Sequence, residues 1–441
     1  MSTQPPRVVV LGGGFAGFHA ARLLARRLRD KADIVLVNST DYFLYLPLLP
    51  QVSSGVLDPR RITVSLAAAL RGVRVKLGEV GRVDLTDHIV SYTDPEGGEH
   101  EIGYDRLVVA VGSVNKLLPV PGVAEHAHGF RGMPEALFLR DHIVGQLEMA
   151  GDVEDPVERA ARCTFVVVGA GYTGTEVAAQ GALLTEKVAR DHPELEGQPI
   201  RWLLLDVQSR VLPELDVRLA RTATKVLRRR GVEVRTGTSV AEATAEGVRL
   251  STGESLPTRS LIWCVGVRPD PLVEDLGLPT EHGRIAVDSE LQVQGHENVY
   301  ACGDAAAVPD PAHPGSSTPM TAQHAVRHGK TVARNVAASL GYGTPASYRH
   351  RDLGFVVDLG GRDAAANPLQ MPLGGAPARV VTSWYHLMAM PGNRIRTGVE
   401  WMLDRVLPRQ RVQLGLVQPE EVPLDTASPE LATLDDRGTS G

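Results

Sequence analysis

One local pattern occurs twice in this chain, and it restricts the fold more than any other feature: an apolar strand that runs into a glycine turn and then a helix. Residues 7–11 (RVVVL) are a short apolar run of the kind buried on both faces of a parallel sheet. They lead into Gly12-Gly13-Gly14-Phe15-Ala16-Gly17, after which the sequence predicts a helix over Phe15–Arg29 and a strand over Ile34–Val37. The pattern restarts at Thr164–Val168 and passes through Gly169-Ala170-Gly171-Tyr172-Thr173-Gly174. A helix over Thr173–Asp191 and a strand over Arg201–Leu205 are predicted to follow. In each loop the first glycine permits a tight turn and the second lets the backbone approach a pyrophosphate. The third lets the helix pack on the strand. Each helix start then offers free N–H groups and a partial positive charge to the phosphates.

The expected class is therefore α/β, with two Rossmann-like dinucleotide-binding domains and a C-terminal α+β segment. The ends of the second strands differ between the repeats. Where an acid usually holds the adenine ribose, the first repeat has Asn38, which keeps a hydrogen bond to a hydroxyl without a charge, with Ser39 beside it. The second repeat ends in Asp206, which suits a ribose 2′-OH and repels a 2′-phosphate, although Arg210 lies close by. Its spacing is lengthened by a polar insertion over Asp191–Pro199. Two such sites in one chain imply two dinucleotides facing each other, and a flavin with a nicotinamide is the usual pair because hydride passes directly between them.

At 441 residues the chain is too long for one core. Its net charge of -6 gives no support for nucleic-acid binding. Nowhere do about 18 apolar residues run together, so no membrane span is expected. The first residues, MSTQPPR, lack the apolar stretch of a secretory signal. A run of short strands is expected over 73–111, a polar connector over Gly151–Arg162, and a strand with a glycine turn over 291–305. A helix is expected over Thr321–Leu340, with two weaker β-like stretches beyond 345. The last two dozen residues, with six acids and no aromatic, read as disordered.

Several stretches resemble the type II NADH dehydrogenases, the single-subunit NADH:quinone oxidoreductases of the two-dinucleotide-domain flavoprotein superfamily. VVVLGGGFAGFHAARLL looks like that family's FAD motif, and Tyr45-Leu46-Pro47-Leu48-Leu49 with Gln51, Val52 and Gly55 resembles its flavin-lining segment. LVVAVG, ending at Gly112, resembles the strand that closes the FAD domain. VVVGAGYTGTEVAA resembles the NADH motif and includes Glu176. YACGDA resembles the second FAD motif, in which Gly303 precedes Asp304, expected on the flavin ribityl chain. Thr321-Ala322-Gln323, followed by Gly329, resembles the segment at the isoalloxazine edge that borders the quinone, with His328 where a second glutamine is common. LIWCVGV at 261–267 adds Gly266 to the cofactor-binding candidates. The resemblance implies an FAD domain over 1–120 and 285–345, interrupted by an NADH domain over 121–284. A C-terminal domain over 346–415 and an acidic tail over 416–441 follow.

It also implies hydride transfer from NADH to FAD and two electrons onward to a menaquinone-like quinone, with Glu176 and Gln323 as the candidate catalytic residues. The alternatives are a reductase for ferredoxin or rubredoxin and an NADH-sensing flavoprotein. Cys163, Cys264 and Cys302 form no CxxC pair, which argues against a redox dithiol or a zinc site, so no metal is expected. Between Arg379 and Arg411 stand six arginines and two acids. Ile395, Val399, Met402, Leu403, Val406 and Leu407 recur at helical spacing, with Trp384, Tyr385 and Trp401 as interfacial rings. That segment reads either as an amphipathic anchor on the inner face of the cell membrane or as a docking helix or dimer contact. A cytoplasmic location, with a homodimer possible, is the expectation.

Overall fold

The computed structural model describes residues 5–407 and 411–424. The chain forms two compact units, each assembled from separated stretches. The first takes residues up to Leu44, then Thr63–Val114 and Arg268–Arg351. The second takes Tyr45–Ile62, Asn115–Val267 and the residues from Asp352 onward.

The first unit is built on a five-stranded parallel sheet. Its order is Val299–Ala301, Arg106–Val109, Arg7–Leu11, Asp33–Asn38, Arg74–Leu77. Val8, Val9, Val10 and Leu11 are fully buried, as a strand with helices on both faces requires. Each such side chain contributes about 1.5–3 kcal/mol of hydrophobic stabilisation. Arg7, at the strand start, pairs with Asp33 on the neighbouring strand at 2.8 Å. The helix Phe15–Leu28 lies against the helix Ala322–Ser339. Their contact is so close that a side chain on Gly329 would lie 2.1 Å from the Ala16 carbonyl oxygen. An antiparallel meander, Glu79–Asp84, Ile89–Thr93 and Glu99–Gly103, supplies the short strands expected over 73–111.

The second unit repeats the plan: Ala127–His128, Ser260–Trp263, Thr164–Val168, Arg201–Asp206, Val232–Thr236, all parallel. The glycine-loop helix spans Tyr172–Ala189. The polar stretch 151–162, expected as a connector, is helical over most of its length. It closes the helix Met133–Asp152 and then forms the helix Pro156–Arg162, with Asp155 as N-cap and Pro156 in the first turn. Its polarity is that of a solvated face, held by Arg259 on Glu158 at 2.5 Å. The β-like stretches beyond 345 are Val356–Asp358 and Ala364–Ala366, paired antiparallel. After them come the helices Gly375–Ala389 and Arg394–Val406. Of the tail expected to be disordered, 425–441 lie outside the described residues. Leu424 is buried in the same cluster as Val166, Leu205 and Trp263.

Candidate cofactor cradles and a buried carboxylate cluster

In the first unit Gly12 turns the chain at φ +93°. A methyl group on Gly17 would lie 1.8 Å from the Gly12 oxygen, so the helix can start there only without a side chain. At Gly14 an added methyl group meets nothing within 4 Å, which leaves the backbone open to a ligand. Asn38 braces the loop: its Oδ1 accepts from Gly13 N at 2.6 Å while its Nδ2 donates to the Thr40 carbonyl at 2.7 Å. Ser39 is half-buried beside it, and Phe15 sets its ring edge-on to Phe43 at 5.0 Å. Ala16 is buried on the same helix and faces Gly303, whose added methyl group would come 3.0 Å from its Cβ.

Gly112 and Gly303 both take positive φ, at +84° and +74°. Asp304 accepts from Ser113 Oγ at 2.8 Å, and Arg284 donates from Nε to the Asp304 carbonyl at 3.1 Å. Arg284 is 8% exposed, donates from Nη1 to Thr318 O, and keeps a buried Nη2 that has no hydrogen-bond partner. A buried guanidinium N–H without an acceptor is costly. Next to Asp304, it suits a ligand rich in phosphate and hydroxyl oxygens. Ala322 opens its helix, capped by Thr321. Gln323 accepts from Arg327 through its carbonyl at 2.9 Å. His328, where the resemblance expects glutamine, accepts from Gly303 N at 3.3 Å. Burial holds its imidazole well below the usual range, so it is neutral.

The second unit reproduces this construction. Gly169 turns at φ +100° against the Cys264 carbonyl, a methyl group on Gly174 would lie 1.9 Å from Gly169 O, and Gly171 is open. Asp206 stands where Asn38 stood: its Oδ2 accepts from Ala170 N at 2.5 Å and its Oδ1 from Gln208 N at 2.7 Å. Arg210 is turned to the Pro213 carbonyl at 2.6 Å. Tyr172 keeps a buried hydroxyl with no hydrogen-bond partner, Thr173 is exposed, and Gly266 takes φ +111° with nothing within 4 Å of an added methyl group.

Glu176 lies one turn into that second helix and is 9% exposed. Its Oε1 accepts from Asp358 N at 2.6 Å. Burial first, and the Asp358 charge second, raise its carboxyl well above the ordinary range, which favours the protonated form. Asp358 is held by Arg379 and by Gln51, whose Nε2 donates at 2.5 Å. The Gln51 Oε1 accepts from Trp401 Nε1 at 2.6 Å. Next to this cluster Tyr45 Oη lies 3.2 Å from His386 Nδ1, and burial lowers His386 to about 4. The sequence reading missed Asp358, Arg379 and His386. Its one available signal was the acid that closes the short apolar strand before Gly360-Gly361.

The three thiols are held up by burial, Cys163 to about 11 and Cys264 and Cys302 to about 12. None is a ready nucleophile. In the C-terminal helices Trp401 faces inward and is 8% exposed, unlike the interfacial ring expected, because its indole N–H bonds Gln51. Trp384, Met388, Ile395, Val399, Met402 and Val406 face outward, with Ile395 84% exposed. Among the described residues no helix is long and apolar enough to cross a membrane.

A model of the pyridine nucleotide-disulphide oxidoreductase family matches residues 6–329. The chain is 31% identical to a type II NADH:quinone oxidoreductase of Mycobacterium tuberculosis over 95% of its own length and 92% of that protein. It is 28% identical to a demethylphylloquinone reductase of Synechocystis, over 91% and 97% of the two chains. Among solved structures, NDH2 from Plasmodium falciparum in complex with NADH superimposes with a TM-score of 0.85. That match has 18% identity and covers 92% of this chain and 99% of that one, a likeness of fold.

Proposed function

The chain belongs to the pyridine nucleotide-disulphide oxidoreductase family and, within it, to the type II NADH:quinone oxidoreductases. From that premise we propose that it is an FAD-dependent NADH dehydrogenase passing electrons to a menaquinone-like quinone. One observation supports this most directly: two glycine cradles of the same construction in one chain, each with an open backbone at its middle glycine. Bound FAD supplies a two-electron acceptor for the nicotinamide hydride and a donor to the quinone.

The residues bind and orient. FAD takes the loop Gly12–Gly17 with Asn38 and Ser39 at its ribose; Gly112, Gly303, Asp304 and Ala322 complete the site, and Arg284 Nη2 finds its acceptor there. NADH takes Gly169–Gly174, with Tyr172 and Thr173 at the helix start, Gly266 opposite and Asp206 toward the adenosine ribose, which favours NADH over NADPH. Orientation supplies most of the acceleration of hydride transfer. Glu176, neutral and fixed by Asp358, positions the nicotinamide and holds a proton at its carboxyl, and Gln323 borders the quinone.

Steady-state NADH oxidation by the FAD-loaded chain, with a soluble menaquinone analogue, ferredoxin or oxygen, tests the reading. Rapid turnover with the quinone is expected. Turnover with ferredoxin alone assigns a protein acceptor, and flavin bleaching without turnover assigns a sensing role.

The outward apolar residues of Gly375–Ala389 and Arg394–Val406, flanked by Arg394, Arg396 and Arg405, suit a face lying on an anionic bilayer. Peripheral attachment to the inner face of the cell membrane is part of the proposal. Vesicle flotation tests it; a concentration-dependent dimer without vesicle binding would give this face to a second copy.

A further inference from the structure

Three aromatic side chains at the start of the helix Ala322–Ser339 form a ladder that the cofactor cradles do not use. His324 Nδ1 lies 2.7 Å from Tyr348 Oη, and the same hydroxyl lies 3.3 Å from His350 Nδ1. The two imidazoles stack directly, 4.0 Å between centroids and 11° between planes. His324 and Tyr348 are buried, whereas His350 is half-exposed and opens the ladder to solvent.

The segment that carries Tyr348 and His350 is clamped along the helix. Asn335 holds Ala346 from both sides, at 2.8 and 3.0 Å, and Arg327 donates to the Arg351 carbonyl at 2.7 Å. Tyr348 N donates to Ser289 O at 2.7 Å. The titratable and charged groups around His324 are His328 and Arg327 on its own helix, Tyr348 and His350 on the clamped segment, and Asp310 with its partner His313 on the preceding loop; Arg284 acts on His328.

A tyrosine hydroxyl has one proton, yet here two Nδ1 atoms share it. When it donates to one ring, the other ring must donate to it. The trio is therefore a directed chain, ring N–H to O–H to ring N, and two imidazolium rings stacked at this separation repel each other, so it holds one extra proton at a time. Burial holds the Tyr348 hydroxyl up at about 12, so it passes protons as a neutral group.

We propose that His350, Tyr348 and His324 form a one-proton relay that brings the solvent proton consumed in quinone reduction to the start of the Ala322–Ser339 helix. The inference rests on the quinone reading above. The balance is NADH plus H⁺ plus quinone to NAD⁺ plus hydroquinone; the hydride carries the electron pair and one hydrogen, and the relay supplies the second. His350 gives its Nδ1 proton to Tyr348 Oη as Tyr348 gives its own to His324 Nδ1. His324 releases a proton from Nε2 toward the acceptor, and solvent reprotonates His350.

The test compares the unmodified FAD-loaded chain with Tyr348→Phe, which keeps the ring and removes the hydroxyl, and with His350→Gln. In rapid mixing, recovery of the oxidised flavin spectrum on adding a soluble menaquinone analogue should slow about tenfold at pH 8 and under threefold at pH 6, with NADH-driven bleaching slowed less at both. Independently of turnover, the side-chain nitrogen-15 shifts of His324 and His350 should titrate as a coupled pair in the unmodified chain and separately in Tyr348→Phe. A merely packed tyrosine would leave both the pH profile and the nitrogen titrations in place, and that result overturns the relay. If the unmodified chain passes no electrons to the quinone, the quinone reading falls, and the nitrogen titrations still decide whether the trio is a coupled proton chain.

Discussion

Glu176→Gln isolates what the buried proton of Glu176 does to the fold. Glutamine keeps the shape of a neutral glutamic acid and an oxygen for Asp358 N, and it cannot ionise. In the native protein this carboxyl holds its proton at pH values where the unfolded chain, with an ordinary value of 4.5, has released it. Below 4.5 both states are protonated and the group costs nothing. Above it, up to the raised native value, the native state binds the extra proton, so stability falls by about 1.4 kcal/mol for each pH unit. Glu176→Gln has no such slope. At about 2–4 °C per kcal/mol for a unit of this size, its melting temperature should exceed that of the unmodified chain by a small margin at pH 5 and by roughly 3–5 °C more for each further unit until the raised native value is passed. Every other titrating group is common to the two proteins and cancels. Glu176→Ala is the contrast: it also cannot ionise, but it orphans Asp358 N, at about 1–3 kcal/mol, and opens a cavity, so it melts several degrees below Glu176→Gln at every pH. Scanning calorimetry of the FAD-loaded chains from pH 5 to pH 8 measures both. A difference between Glu176→Gln and the unmodified chain that does not grow with pH would refute the assignment of a neutral Glu176. In rapid mixing, Glu176→Ala should also slow NADH-driven flavin bleaching about tenfold; an unchanged rate removes its positioning role.

Gly174→Ala places a methyl group 1.9 Å from the Gly169 oxygen; it should raise the NADH KM at least tenfold while bound FAD, measured by absorbance, stays at one per chain. Asp206→Ala strips the acceptor from Ala170 N and Gln208 N; a loss of about 1–2 kcal/mol, or roughly tenfold in NADH KM, and a narrowed preference over NADPH should follow in steady-state assays. With its thiols held at about 11 and 12, the folded chain should resist iodoacetamide at pH 8, with no labelling by mass spectrometry until denaturant is added. Replacing exposed Trp384 and Ile395 together by serine should cut flotation with anionic vesicles at least tenfold, from about 2 kcal/mol of lost apolar burial for each residue.

What the sequence makes legible is what local physics decides. The strands Arg7–Leu11 and Thr164–Val168 and the glycine loops that follow them are short-range patterns, and the structure places them as read. Asn38 was legible as a departure but not in its use: its amide can donate to Thr40 as well as accept from Gly13, which a carboxylate at that place cannot. The carboxylate cluster was illegible for a different reason. Gln51, Glu176, Asp358, Arg379 and Trp401 meet across separations of up to 350 positions. No periodicity within one segment reports such a meeting. Trp401 misled for the same reason, since an amphipathic pattern marks an apolar stripe without saying which ring finds a buried amide. The helix within the 151–162 connector was not legible because a short helix with a solvated face and a loop share a composition.

The burial of Leu424 among Val166, Leu205 and Trp263, and the pairing of Val299–Ala301 with Arg106–Val109, have a consequence for biosynthesis. The ribosome delivers the inner strands of both sheets long before the residues that complete them. The first sheet waits for residue 301 with an open edge, and the core of the second unit waits for residue 424. Each unit therefore closes late on the ribosome, through contacts of very long sequence separation, and this chain should fold slowly and depend on chaperones while its strands wait.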